Sequence, residues 1–122
     1  MTEHVCKTIL LGESGVGKTS IINKYLKNDF MDNMLSTSGN YYLEKIVEFD
    51  NNEKIRFEIW DTIGQEKYRS VLKKYYQCAT AAILVYDISK RNTFEEMKNY
   101  WVNELKENGP KNISMFFIIY LI

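Results

Sequence analysis

The stretch Gly12-Glu-Ser-Gly-Val-Gly-Lys-Thr19 constrains this chain more than any other, because it meets the pattern G-x-x-x-x-G-K-[ST] at every fixed position. Glycines let a backbone curl until successive N–H groups point at one anion. A helix opening directly behind them adds the positive end of its dipole. Lys18 supplies a point charge for β- and γ-phosphates, and the Thr19 hydroxyl is suited to Mg²⁺. The flanks agree with a phosphate loop. Val5–Leu11 is a short apolar run, as a first buried strand would be. Ile21, Ile22, Tyr25 and Leu26 recur at helical spacing, so a helix is expected from near Lys18.

The rest of the chain alternates strand-like and helix-like runs, which predicts a mostly parallel α/β sheet with helices on both faces. The polar stretch Asn28–Asn40 reads as a loop. Tyr41–Phe49 and Ile55–Trp60 flank the turn cluster Asp50-Asn-Asn-Glu53 and predict a hairpin. Asp61–Ser70 reads as a polar loop around Gly64. Ala81–Tyr86 is continuously apolar and ends at Asp87, the pattern of a central strand. Thr93-Phe-Glu-Glu96 has the form of a capping box. Behind it Phe94, Met97, Trp101 and Leu105 form an apolar stripe, read as core packing, and Gly109-Pro110 ends that helix. Ile113–Ile122 is expected to be the next strand.

Composition narrows the classes. Sixteen Lys and Arg balance 16 Asp and Glu, so nothing suggests a broad grip on nucleic acid or on an anionic membrane. Two separated cysteines, Cys6 and Cys78, make no disulfide framework, and with a single His they make no zinc site. Free thiols and an N-terminus without a signal peptide lead to the expectation of a cytoplasmic protein. Thr2 excludes a myristoylation signal, and the eight apolar residues Met115–Ile122 fall far short of the roughly 20 that span a bilayer. No cysteine near the C-terminus is available for prenylation, so the expectation is that membrane attachment would require a lipid anchor absent from this sequence.

Asp61 ends an apolar strand, and in a phosphate-loop fold a carboxylate there is in place to reach the magnesium shell. With that residue the resemblance becomes specific. Gly12–Ser20, Trp60-Asp-Thr-Ile-Gly-Gln-Glu66, Tyr75-Tyr76 and Ala82-Ile-Leu-Val-Tyr-Asp-Ile88 resemble the Rab branch of the Ras-like small GTPases, in order and spacing from Val5 to about Ile113. Phe57-Glu-Ile-Trp-Asp61 and Trp101-Val102 look most like its early-endosomal subgroup.

The resemblance implies a P-loop nucleotide-binding domain over residues 1–122 that binds GTP or GDP with Mg²⁺, hydrolyses GTP and acts in vesicle transport. It implies that Ser14, Gly15, Val16, Gly17, Lys18, Thr19 and Ser20 contact phosphate and magnesium. Phe30 would pack against the base, Thr37 would join Thr19 and Asp61 on Mg²⁺, and Gly64 would donate its N–H to the γ-phosphate. Gln65 and Lys18 would be the catalytic pair, orienting water and stabilising charge. An exchange factor, an activating protein and effectors would meet the loops 30–42 and 61–76, and the protein would be a monomer.

Three departures stand against the family pattern. Ile63 replaces the usual small residue before Gly64, and a stiff β-branched side chain there predicts slowed hydrolysis or a displaced loop. Ser38, Asn40 and Tyr41 replace the family's more apolar run, which unsettles partner choice. Met115-Phe-Phe-Ile-Ile-Tyr-Leu-Ile122 stands where an Asn-Lys-x-Asp base motif is expected, so the chain reads as the N-terminal two-thirds of such a domain, incomplete at the C-terminus. Guanine selectivity therefore comes from the resemblance alone. Two rivals stay open: a binding module that holds nucleotide poorly or does not hydrolyse it, and a P-loop enzyme acting on adenine nucleotides.

Overall fold

A computed structural model describes residues 2–13, 18, 33–35, 41–62 and 69–120. The first strand, β1 (Thr2–Leu11), is longer than its apolar run suggests. Its polar start, Thr2–His4, pairs with Glu53–Ile55, because ladder pairing is made by backbone and does not require apolar side chains. Within the stretch expected to be loop, Asn33–Leu35 forms a short edge strand, β2, antiparallel to β3 (Tyr41–Glu48). That corrects the loop expectation for these three residues. A three-residue edge strand carries too short a pattern to be read from composition.

The expected hairpin is present: β3 pairs antiparallel with β4 (Glu53–Asp61). Its turn places Asn52 at φ 66°, a left-handed conformation that Asn tolerates better than most residues. A helix not anticipated from the sequence, α1 (Arg69–Tyr76), follows, and it takes Arg69 and Ser70 out of the expected loop. Beyond it come β5 (Ala81–Asp87) and α2 (Arg91–Glu96). A π-helical turn (Met97–Trp101) then leads into α3 (Val102–Asn108), and β6 (Ser114–Tyr120) closes the described chain.

Among the described residues the sheet has six strands in the order β2-β3-β4-β1-β5-β6, with β4, β1, β5 and β6 parallel. Alternation along β1 sends Ile9 and Leu11 to one face and Leu10 to the other. The first face carries the main core, where Ile9, Leu11, Ala82 and Leu84 pack against Leu72, Tyr76, Met97, Trp101 and Leu105. Each large buried side chain stabilises the fold by roughly 1.5–3 kcal/mol. α2, the π-helical turn and α3 thus cover this face, as the apolar stripe predicted, together with α1, which the stripe did not foreshadow. On the second face Leu10, Ile59 and Val85 are buried as well. The helix expected from near Lys18 lies outside the described residues except for Lys18, which is helical.

The capping box does not form. α2 begins at Arg91, and Thr93 sits inside its first turn. The Thr93 hydroxyl lies 2.7 Å from the Lys90 carbonyl oxygen and accepts the Asp87 backbone N–H at 3.0 Å. The residue expected to cap a helix instead secures the carboxyl end of β5, because a buried hydroxyl bonds whichever backbone groups its turn brings near. Gly109 ends α3 as expected, but in extended backbone, φ −87° and ψ 176°. Its lack of a side chain matters for space: a Cβ there would lie 2.6 Å from the Leu105 carbonyl oxygen.

Candidate functional site: the carboxyl end of the parallel strands

Ligands of open α/β sheets bind outside the carboxyl ends of the strands, and this is where the chemistry-bearing residues gather. β1 lies between β4 and β5 and ends at Leu11. The chain then turns at Gly12, whose φ of 153° is open to glycine and strained for any residue with a side chain.

Lys18 is 3% exposed, and its ammonium donates to the Gly12 carbonyl oxygen at 2.7 Å. The two ends of the motif are therefore closed on each other, with the lysine charge held over the strand end. Burying an ammonium is costly unless it is hydrogen-bonded or paired. A site that keeps such a charge buried gains most from an anion brought to it.

Asp61 stands at the end of β4, 2% exposed, directly opposite Leu10 of β1 in the parallel register. The structure thus brings Asp61 and Gly12 to neighbouring strand ends, although 49 residues separate them in the chain. Next to it the Thr62 hydroxyl donates to the Leu10 carbonyl oxygen at 2.7 Å and ties the two strand ends together. Thr62 was not singled out from the sequence, where a polar residue after a strand signals no more than a turn.

On the other flank Asp87 ends β5. Its carboxylate accepts the Ser89 hydroxyl at 2.7 Å and the Ser89 backbone N–H at 2.9 Å, and these bonds hold its pKa below the ordinary carboxylate value. Glu13 is a second residue the sequence did not mark. It accepts the Trp101 indole N–H at 3.3 Å, a bond between residues 88 apart that no local pattern signals.

Of the expected site residues, Lys18 and Asp61 are brought together as described. Ser14, Gly15, Val16, Gly17, Thr19, Ser20, Phe30, Thr37, Gly64 and Gln65 lie outside the described residues, as does Ile63. The donor set present suits a phosphate anion with a hard cation: a buried ammonium and a buried carboxylate on adjacent strand ends. Among the described residues no group of three or more His, Cys, Asp or Glu gathers to hold a metal by itself. Both cysteines are free thiols, and among the described residues no helix is long and apolar enough to cross a membrane.

Comparison with known proteins agrees with this geometry. Residues 7–119 match the profile of the Ras family. The Ras-related protein Rab-22A of Homo sapiens is 46% identical over 107 residues, which cover 88% of this chain and 54% of that protein. The Ras-related protein Rab-31 of Rattus norvegicus is 45% identical over 109 residues, covering 89% and 55%. The GTP-binding protein ypt3 of Schizosaccharomyces pombe is 37% identical over 116 residues, covering 95% and 53%. The chain spans about half the length of the curated relatives it matches.

Proposed function

We propose that this chain, which belongs to the Ras family, is a Rab-type GTP-binding, GTP-hydrolysing switch in vesicle-mediated, endosomal transport. The observation that carries this reading is the closed pair of Lys18 and Gly12 beside buried Asp61 at the carboxyl ends of β1 and β4. Lys18 binds the β- and γ-phosphates, and Ser14–Ser20 supply further donors to them. Phe30 packs on the base. Thr37 and Gly64 sense the γ-phosphate, so that the loops bearing them are ordered by triphosphate and released after hydrolysis. Gln65 orients the water that attacks the γ-phosphorus in line, a scheme inherited from the family. Thr19, Thr37 and Asp61 would hold magnesium, which would neutralise phosphate charge when bound.

Regulators and effectors dock on residues 30–42 and 61–76, a span that includes β2 and α1. The protein works in the cytoplasm as a monomer. Ile63 favours one second reading, a switch surface that binds nucleotide with little turnover, since a bulky residue beside Gly64 hinders the swing that hydrolysis requires.

Single-turnover hydrolysis of bound GTP, compared with Gln65→Leu, tests the proposal. Hydrolysis that slows in the variant while binding persists supports the switch. Bound GTP that stays intact in both supports the second reading.

A further inference from the structure

We propose that Trp101 is a positioning residue for the phosphate loop: its indole N–H directs the Glu13 carboxylate toward the helical layer and away from the place where phosphate would meet Lys18. The inference rests on the nucleotide-binding reading above. Glu13 directly follows Gly12, whose carbonyl oxygen is 2.7 Å from the Lys18 ammonium. An acidic side chain is a poor neighbour for a loop that gathers anions. Released, its carboxylate would compete with phosphate for Lys18 and repel it.

The restraint is built into the helical layer. Trp101 is fully buried, with 0% exposure, and its N–H reaches Glu13 Oε1 at 3.3 Å. Indole nitrogen only donates and a carboxylate only accepts, so the bond has one polarity. Trp101 is also the last residue of the π-helical turn, closed by the Val102 backbone N–H on the Met97 carbonyl. Such single turns are uncommon and concentrate at functional sites. Tyr100 packs edge-on against the indole, with ring centroids 4.9 Å apart and planes at 86°, and fixes the ring. Core packing accounts for the carbon face of Trp101. It does not account for an N–H aimed at the residue next to Gly12.

The test is a cycle of four chains: wild type, Trp101→Phe, Glu13→Gln and the double variant. Each is titrated with a fluorescent GTP analogue in Mg²⁺. Trp101→Phe is expected to weaken binding about tenfold, the size of one charged hydrogen bond. In the Glu13→Gln background the same change is expected to have no effect, since no charge is left to restrain. Equal losses in both backgrounds would make Trp101 a packing residue only, and no loss in either would also overturn the proposal. If the Phe variant fails to fold, benzothienylalanine at position 101 in a Trp60→Phe chain keeps the ring and replaces only the N–H by sulphur. A tenfold loss there supports the proposal, and unchanged affinity overturns it. A wild-type chain that binds no nucleotide removes the nucleotide-binding reading and this inference with it, an outcome distinct from a binding wild type whose variants behave alike.

Discussion

The Thr62 hydroxyl donates to the Leu10 carbonyl oxygen across 2.7 Å and joins the end of β4 to the end of β1, 52 residues earlier. Both residues are buried, at 1% exposure each. The bond links the strand ends that carry Asp61 and Gly12. Thr62→Val keeps the shape and removes the donor. It is expected to cost about 1–2 kcal/mol. Urea unfolding would show a lower midpoint with an unchanged slope. An unchanged midpoint would mean that the bond adds nothing.

Tyr76 ties α1 to α3 through its hydroxyl, 2.5 Å from Glu104 Oε2. Burial raises its pKa well above the ordinary value of 10.0, and the hydrogen bond and charge of Glu104 push the same way. Folding therefore favours the protonated phenol. The resulting stability is fully present below pH 10, the unfolded value, and is lost progressively as the pH rises above it. Stability measured from pH 8 to 11 is expected to fall above about pH 10 in the wild type and to fall less in Tyr76→Phe. Parallel curves would rule out Tyr76 as the source.

Gly109 is needed for space, since its own backbone angles suit any residue. The Leu105 carbonyl oxygen would lie 2.6 Å from an added Cβ, and that oxygen also accepts the Gly109 N–H at 3.0 Å. Gly109→Ala is expected to cost about 1–3 kcal/mol, the range for forcing an extra carbon into a packed site. Thermal unfolding would report it as a lower midpoint, and an unchanged midpoint would show that the end of α3 yields freely.

Ile63 directly precedes Gly64, the residue proposed to meet the γ-phosphate. Ile63→Ala is expected to speed single-turnover hydrolysis of bound GTP severalfold with little change in binding, because the smaller side chain frees Gly64 to move. An unchanged rate would sink the idea that Ile63 slows turnover.

The parts of the fold that were legible in the sequence are those written in contiguous apolar pattern. The runs at Val5–Leu11 and Ala81–Tyr86, the hairpin around Asp50–Glu53 and the stripe Phe94–Leu105 all appear where pattern places them. Lys18 and Asp61 were legible because motif and strand end fix them. What escaped was made by backbone pairing or by long-range bonding. β2 is three residues of edge pairing, and the polar start of β1 is held by its partner Glu53–Ile55. α1 is rich in Lys and Arg, and its buried residues Leu72 and Tyr76 make too short a stripe to stand out. Thr93 looked like a helix cap, yet its partners at Asp87 and Lys90 were decided by the turn before the helix. The Glu13–Trp101 bond spans 88 residues and leaves no local trace.

The central claim is that the loop closed by Lys18 and Gly12 binds nucleoside triphosphate. Mg²⁺-dependent titration of the purified chain with fluorescent GTP and ATP analogues, alongside Lys18→Ala, tests it most directly. GTP is expected to bind the wild type and to bind Lys18→Ala at least a hundredfold more weakly, about 3 kcal/mol for removing a buried charge that bonds phosphate. ATP binding as tight as GTP would mean that the phosphates alone are read. Equal binding of GTP by wild type and Lys18→Ala, or none by a folded wild-type chain, would contradict the account.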